Sequence, residues 1–161
     1  MATKGFAVAA LRDAGEWRVE PLPLAVLTDL GVLLQALRAQ TPEGGPFVVA
    51  SVDEEFFVIA RLEGQRFQLL LSDLTASVEY PLAEQVRTRL GEDPPEDDEL
   101  DEVLPVGDLD LFSDLDLSED EMEQILEDGD AYPDEMLDTI LDRLGLGEAY
   151  RRATEAARVG R

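Results

Sequence analysis

Three apolar runs, FVVASV, FFVIARL and RFQLLL, lie between Phe47 and Leu71 with only Asp53-Glu54-Glu55 and Glu63-Gly64-Gln65 to separate them. Short polar breaks between runs rich in phenylalanine and β-branched residues are the pattern of consecutive hairpin-linked strands. A sheet built here supplies much of the core. The flanking sequence extends it. Phe6 to Leu11 is apolar at successive positions, as in a strand covered on both faces. Trp17, Val19 and Pro21 alternate with Arg18 and Glu20, which suits a half-exposed edge strand, because proline cannot donate to a ladder. Val26, Leu27, Leu30, Leu33, Leu34 and Leu37 recur at helical spacing and predict a helix over Leu24 to Gln40, ended by Thr41-Pro42-Glu43-Gly44-Gly45-Pro46. A second helix is expected from Pro81 to Leu90. The fold class expected is α+β: an antiparallel sheet of about five strands in the order ββαβββα, followed by a small acidic helical bundle.

Charge divides the chain more sharply than hydropathy does. The total is −24, yet residues 1–91 carry 12 acids against 8 bases, residues 92–148 carry 24 acids against Arg143 alone, and residues 149–161 carry one acid against four bases. This divides the chain into a sheet domain at 1–91, an acidic proline-containing linker at 92–106 and an acidic helical region at 107–161. Beyond the linker, Gly107 to Leu117 interleaves aspartates with leucines and Phe112. Ser118-Glu119-Asp120-Glu121 forms a capping box, with Met122, Ile125 and Leu126 on one face of the helix that follows. Met136, Leu137, Ile140, Leu141 and Leu144 stripe a second helix from Pro133, and a third fits Glu148 to Val159. Short helices need a partner surface. The bundle, completed by Phe112 and Leu115, therefore either packs back on the sheet or is itself a partner-binding face.

Several chemistries are poorly served by this composition. There is no histidine and no cysteine, which removes the commonest general base, the commonest transition-metal ligand and any thiolate site. Serines at 51, 72, 77, 113 and 118 have no histidine to activate them. A carboxylate becomes a catalyst where burial or a like charge acts on it, whereas Glu54-Glu55 and Asp97-Asp98 fall in expected turns and linker. Asp108, Asp110, Asp116 and Glu119 match positions 1, 3, 9 and 12 of a calcium loop, but Phe112 and Ser113 break it where an oxygen ligand and a glycine are needed. No catalytic residue, metal or cofactor is expected. An acidic surface repels phosphate backbones, so direct nucleic-acid contact is not expected, and Arg151, Arg152, Arg158 and Arg161 read as complements to neighbouring acids. No apolar run is long enough to span a membrane. A cytoplasmic location is the expectation.

GDLDLFSDLDLSEDEM at Gly107–Met122, followed by DAYPDEMLDTILDRLG at Asp130–Gly145, resembles the actinobacterial tRNA adenosine deaminase-associated proteins. The resemblance covers most of the chain and is loosest in the acidic linker. It implies association with the deaminase in tRNA modification rather than a reaction of the chain's own. A zinc deaminase needs a His-x-Glu and a Pro-Cys-x-x-Cys, which this chain lacks. The expected role is a non-catalytic accessory protein with a protein partner, and the candidate contact residues are Asp108, Asp110, Phe112, Asp114, Asp116, Met122, Tyr132 and Met136. Two alternatives stand beside it: an acidic phosphate mimic that inhibits a basic RNA-binding partner, and an enzyme of undefined reaction.

Overall fold

In the computed structural model, residues 4–40 and 44–159 are described, those at 158 and 159 by their backbone alone. The strands are β1 (Gly5–Asp13), β2 (Glu16–Pro21), β3 (Phe47–Val52), β4 (Phe56–Glu63), β5 (Arg66–Leu71) and β6 (Val106–Gly107). They form one antiparallel sheet in the order β2-β1-β3-β4-β5-β6. The sheet therefore has six strands rather than about five, and the order before the last helices is ββαβββαβ. The additional strand is short, and its apolar content is a single valine, so period-2 alternation has nothing to register. Gly107 makes it possible: at φ 110° it lies so close to β5 that a Cβ would collide with the Leu69 carbonyl oxygen.

Because side chains alternate across a strand, the fully apolar runs supply two buried faces. Ala7, Val48, Ala50, Val58, Leu69 and Leu71 face one side. There they meet α1 (Leu30–Arg38) and α2 (Pro81–Leu90) through Leu33, Leu37, Leu82 and Val86. The helix predicted over Leu24 to Gln40 is interrupted. A short 3-10 turn spans Leu24–Leu27, and Asp29 adopts an extended conformation so that its Oδ1 accepts from Gly31 N at 2.8 Å and Val32 N at 3.3 Å. An aspartate beside apolar positions competes well for the N-cap, and here capping wins over continuity.

The second face holds Phe6, Val8, Phe47, Val49, Phe57, Ile59 and Leu70. It is covered by α3 (Glu119–Leu126), α4 (Pro133–Arg143) and α5 (Gly147–Val159), with Phe112, Met122, Leu126, Leu137, Ile140 and Tyr150 buried against it. Of the two arrangements open to the helical region, this is packing on the sheet. The capping box predicted for α3 is present, Ser118 Oγ accepting from Glu121 N while Glu121 Oε1 accepts from Ser118 N. The intervening segment leaves α2 at Gly91 and is tied at its far end, where Leu104 N donates to Asp73 Oδ1 and Leu104 O accepts from Leu74 N at 2.7 Å. No described helix is long and apolar enough to cross a membrane.

One consequence is measurable. Ending the chain at residue 91 would bare Phe47, Val49, Phe57 and Ile59, all fully buried in the intact protein. Phe- and Ile-sized side chains each lose about 1.5–3 kcal/mol on exposure. The truncated chain is expected to bind a hydrophobic dye and to lose slow amide exchange in β1 and β3; a sheet that keeps its protection would show that residues 1–91 fold independently.

Candidate partner-binding face

The acidic strap from Gly107 to Leu117 carries most of the candidate contact residues, and the reason it lies flat is an arginine. Arg61 sits in the middle of the apolar β4 run with its side chain 4% exposed. Its Nη1 donates to Leu111 O at 2.6 Å and its Nη2 to Gly44 O at 2.9 Å, while Nε donates to Gly45 O at 2.9 Å. Both terminal nitrogens also meet the Asp114 carboxylate, Nη2 to Oδ2 at 3.0 Å, and the guanidinium lies 5.6 Å from the Phe112 ring centroid. Phe112 in turn packs edge-on against Phe47, at 4.7 Å between centroids. Gly45 is required beneath this group, since a Cβ there would come within 2.6 Å of Nη2.

Alternation along the strap now has a geometric meaning. Leu111, Phe112 and Leu117 point inward and are buried, while Asp110, Asp114 and Asp116 are exposed. Asp108 continues the β6 ladder: its N donates to Leu69 O at 2.7 Å and its Oδ2 accepts from Leu69 N at 2.9 Å. Farther on, Ser51 Oγ donates to Asp134 Oδ1 at 3.0 Å and so pins the first turn of α4 to β3. Tyr132 precedes that helix with 73% of its surface exposed. Arg143 pairs with Glu121 across α3 and α4, and the two helices border a shallow cleft of about 240 Å³. Arg151 and Arg152 pair with Asp142 at 3.1 Å and Glu148 at 3.4 Å; Arg161 and the Arg158 side chain lie outside the described residues.

The eight residues singled out from sequence thus separate into two sets. Phe112, Met122 and Met136 belong to the buried layer against the sheet, so they support the face from beneath. Asp110, Asp114, Asp116 and Tyr132 are on its surface, and half-buried Asp108 is tied to β5. Sequence reasoning passed over Arg61, although a lone arginine inside FFVIARL was the available signal: a buried charge demands partners. Among the described residues, no three acidic side chains converge where they could hold a metal ion. Tyr80, on the opposite side of the sheet, is pushed up to about 12 by burial, by its hydrogen bond to Asp53 and by the surrounding carboxylates of Asp53, Glu55 and Glu79.

Burial alone would raise the Asp114 carboxyl, but the hydrogen bond and the positive charge of Arg61 outweigh it and hold the group below its ordinary value. A depressed folded value adds stability above the unfolded carboxylate range, near about pH 4, and that stability is lost as pH falls through the folded value. Asp114 is 66% exposed, so solvent screens the pair, and Asp114→Asn, which keeps an acceptor oxygen, is expected to cost about 1 kcal/mol at neutral pH. In urea titrations at successive pH values, the gap between the two proteins should close below about pH 4; a gap that persists into acid would assign the cost to something other than charge.

A family model described as "Rv3753c-like tRNA adenosine deaminase-associated protein" matches residues 5–147. The chain is also 39% identical over 145 residues to "Protein Rv3753c" of Mycobacterium tuberculosis (strain ATCC 25618 / H37Rv), covering 89% of this chain and 84% of that relative. No solved structure matches the chain.

Proposed function

Because the chain belongs to the Rv3753c-like tRNA adenosine deaminase-associated protein family, we propose that it is a non-catalytic accessory protein that binds a tRNA adenosine deaminase through the outer surface of its acidic helical layer. The observation that carries this reading is the anchoring of the acidic strap: Asp110 and Asp116 project from a segment fixed by Arg61, and Tyr132 stands exposed at the start of α4. A large exposed aromatic within a polar surround is the composition of an interface hot spot. Fixed carboxylates suit a basic protein surface, since opposite charges steer encounter and set register. The chain has neither histidine nor cysteine, which leaves the deaminase chemistry to the partner.

A second reading follows from the same anchoring. Carboxylates held at fixed positions could occupy a groove that otherwise takes RNA phosphates, making the protein a competitor of tRNA. The two readings differ in what the partner holds at the same time.

Affinity purification of the tagged full chain from its own cells should recover the deaminase. Tyr132→Ala is expected to weaken that binding by tenfold or more, the usual effect of removing an aromatic hot spot, without altering the thermal unfolding midpoint. Repeated failure to recover the deaminase would reject the accessory role. With both proteins purified, tRNA that binds alongside this protein supports the accessory reading, and tRNA displaced in a salt-sensitive manner supports mimicry.

A further inference from the structure

On the face away from the acidic helices, two arginines stand without carboxylates. Arg38, in the last turn of α1, and Arg89, in the last turn of α2, hold their guanidinium carbons 4.9 and 5.6 Å from the centroid of the Phe67 ring. Arg87, on the same helix as Arg89, donates instead to Glu92 O at 3.0 Å. Among the described residues, neither Arg38 nor Arg89 makes an ion pair, although the chain has 37 acids for 13 lysines and arginines. The groove they border, between α1, α2 and the start of β5, is an open trough of about 480 Å³. Asp29, which also lines it, is engaged in capping α1. The trough therefore offers cations around a half-buried aromatic ring.

A second feature of the same molecule is equally unaccounted for. Residues 92–103 carry eight acids and no base. Leu100 and Val103 are 43% and 59% exposed, apolar side chains left in part to solvent. The segment connects Gly91, at the end of α2, to Leu104, and none of its carboxylates reaches Arg38 or Arg89 within ion-pair distance. Apolar, acid, acid, apolar is the order from Leu100 to Val103. The trough presents the complementary set, a ring flanked by cations.

We propose that the Arg38–Phe67–Arg89 trough docks residues 100–103 of a second copy of this chain, Asp101 and Glu102 meeting the two guanidinium groups and Leu100 covering Phe67. Each copy has one trough and one segment, so two reciprocal contacts close a two-fold dimer. Exposed ion pairs are individually weak, and two bodies of charge −24 repel. The dimer is consequently weak and depends on salt in both directions. At low ionic strength the whole-molecule repulsion is unscreened. Near physiological salt, where the screening length is about 8 Å, the local contacts survive; near 1 M, at about 3 Å, they do not. This inference does not depend on the deaminase reading, because it uses the opposite face.

Sedimentation velocity of the full chain over a range of concentrations tests it. The wild type is expected to show a concentration-dependent dimer that is most populated at intermediate salt. Arg38→Glu/Arg89→Glu and Asp101→Arg/Glu102→Arg should each be monomeric at the same concentration. An equimolar mixture of the two variants should recover the dimer, because each supplies the surface the other has reversed. All four side chains are exposed, and an unchanged circular dichroism spectrum confirms that the variants fold. A wild type that stays monomeric throughout overturns the proposal, as does a mixture that fails to reassociate. Binding of RNA to the wild type that is lost in the arginine variant, with no self-association, would reassign the trough to nucleic acid.

Discussion

A guanidinium cannot be taken out of water without partners, and Arg61 is 97% removed from it. The course of the strap over the second face of the sheet follows from how that demand is met. The carbonyls of Gly44, Gly45 and Leu111 and the carboxylate of Asp114 converge on one group from two separate stretches of chain. Meeting them places Phe112 over Phe47, sets the strap flat on the sheet and delivers the chain to Ser118, where α3 begins. A buried ion pair is weak evidence for net stability, because desolvation consumes much of the attraction. Its contribution here is positional: an apolar residue at 61 could be covered in many registers, whereas the arginine accepts one.

That constraint explains how so acidic a stretch folds. With 24 acids and one base across residues 92–148, self-repulsion opposes compaction, and composition alone would favour an extended chain. The apolar residues nevertheless fall at positions that face inward. Several acids serve the backbone directly: Glu121 closes a capping box, Glu99 closes another in the segment that follows α2, and Asp108 extends the β5 ladder. Negative charge in the first turns of α3 and α4 also complements the helix dipole. The remaining carboxylates are left on the outer surface, where their repulsion is screened and where a partner would find them.

What could be read from the chain was what depends on local periodicity. Continuous apolar runs gave the buried strands, alternation at Trp17 and Val19 gave the edge, apolar spacing gave α1 and α4, and Pro81 at a first helical position gave α2. What escaped was what depends on contacts between distant segments. β6 is two residues long and exists because Gly107 can approach Leu69; nothing local announces it. Phe112, Met122 and Met136 suit a partner-binding face and a cover for the sheet equally well by composition; the second apolar face of the sheet decides for the cover. Leu24 to Gln40 has the stripe of one helix, yet Asp29 divides it by capping the longer part. Arg61 was visible as an anomaly in FFVIARL, while its partners, 16 to 53 residues away, were not.

The central claim is that Arg61 is a desolvated, singly placed anchor for the acidic layer. Proton–nitrogen spectra of arginine side chains test it directly. The Arg61 Nε proton, bonded to the Gly45 carbonyl at 2.9 Å, should appear as a separate sharp signal at neutral pH, with a cross-relaxation contact to the Phe112 ring. Its exchange with solvent should be slowed by about tenfold or more relative to exposed Arg38 and Arg89. An Arg61 signal that exchanges as fast as theirs, with no contact to Phe112, would contradict the account.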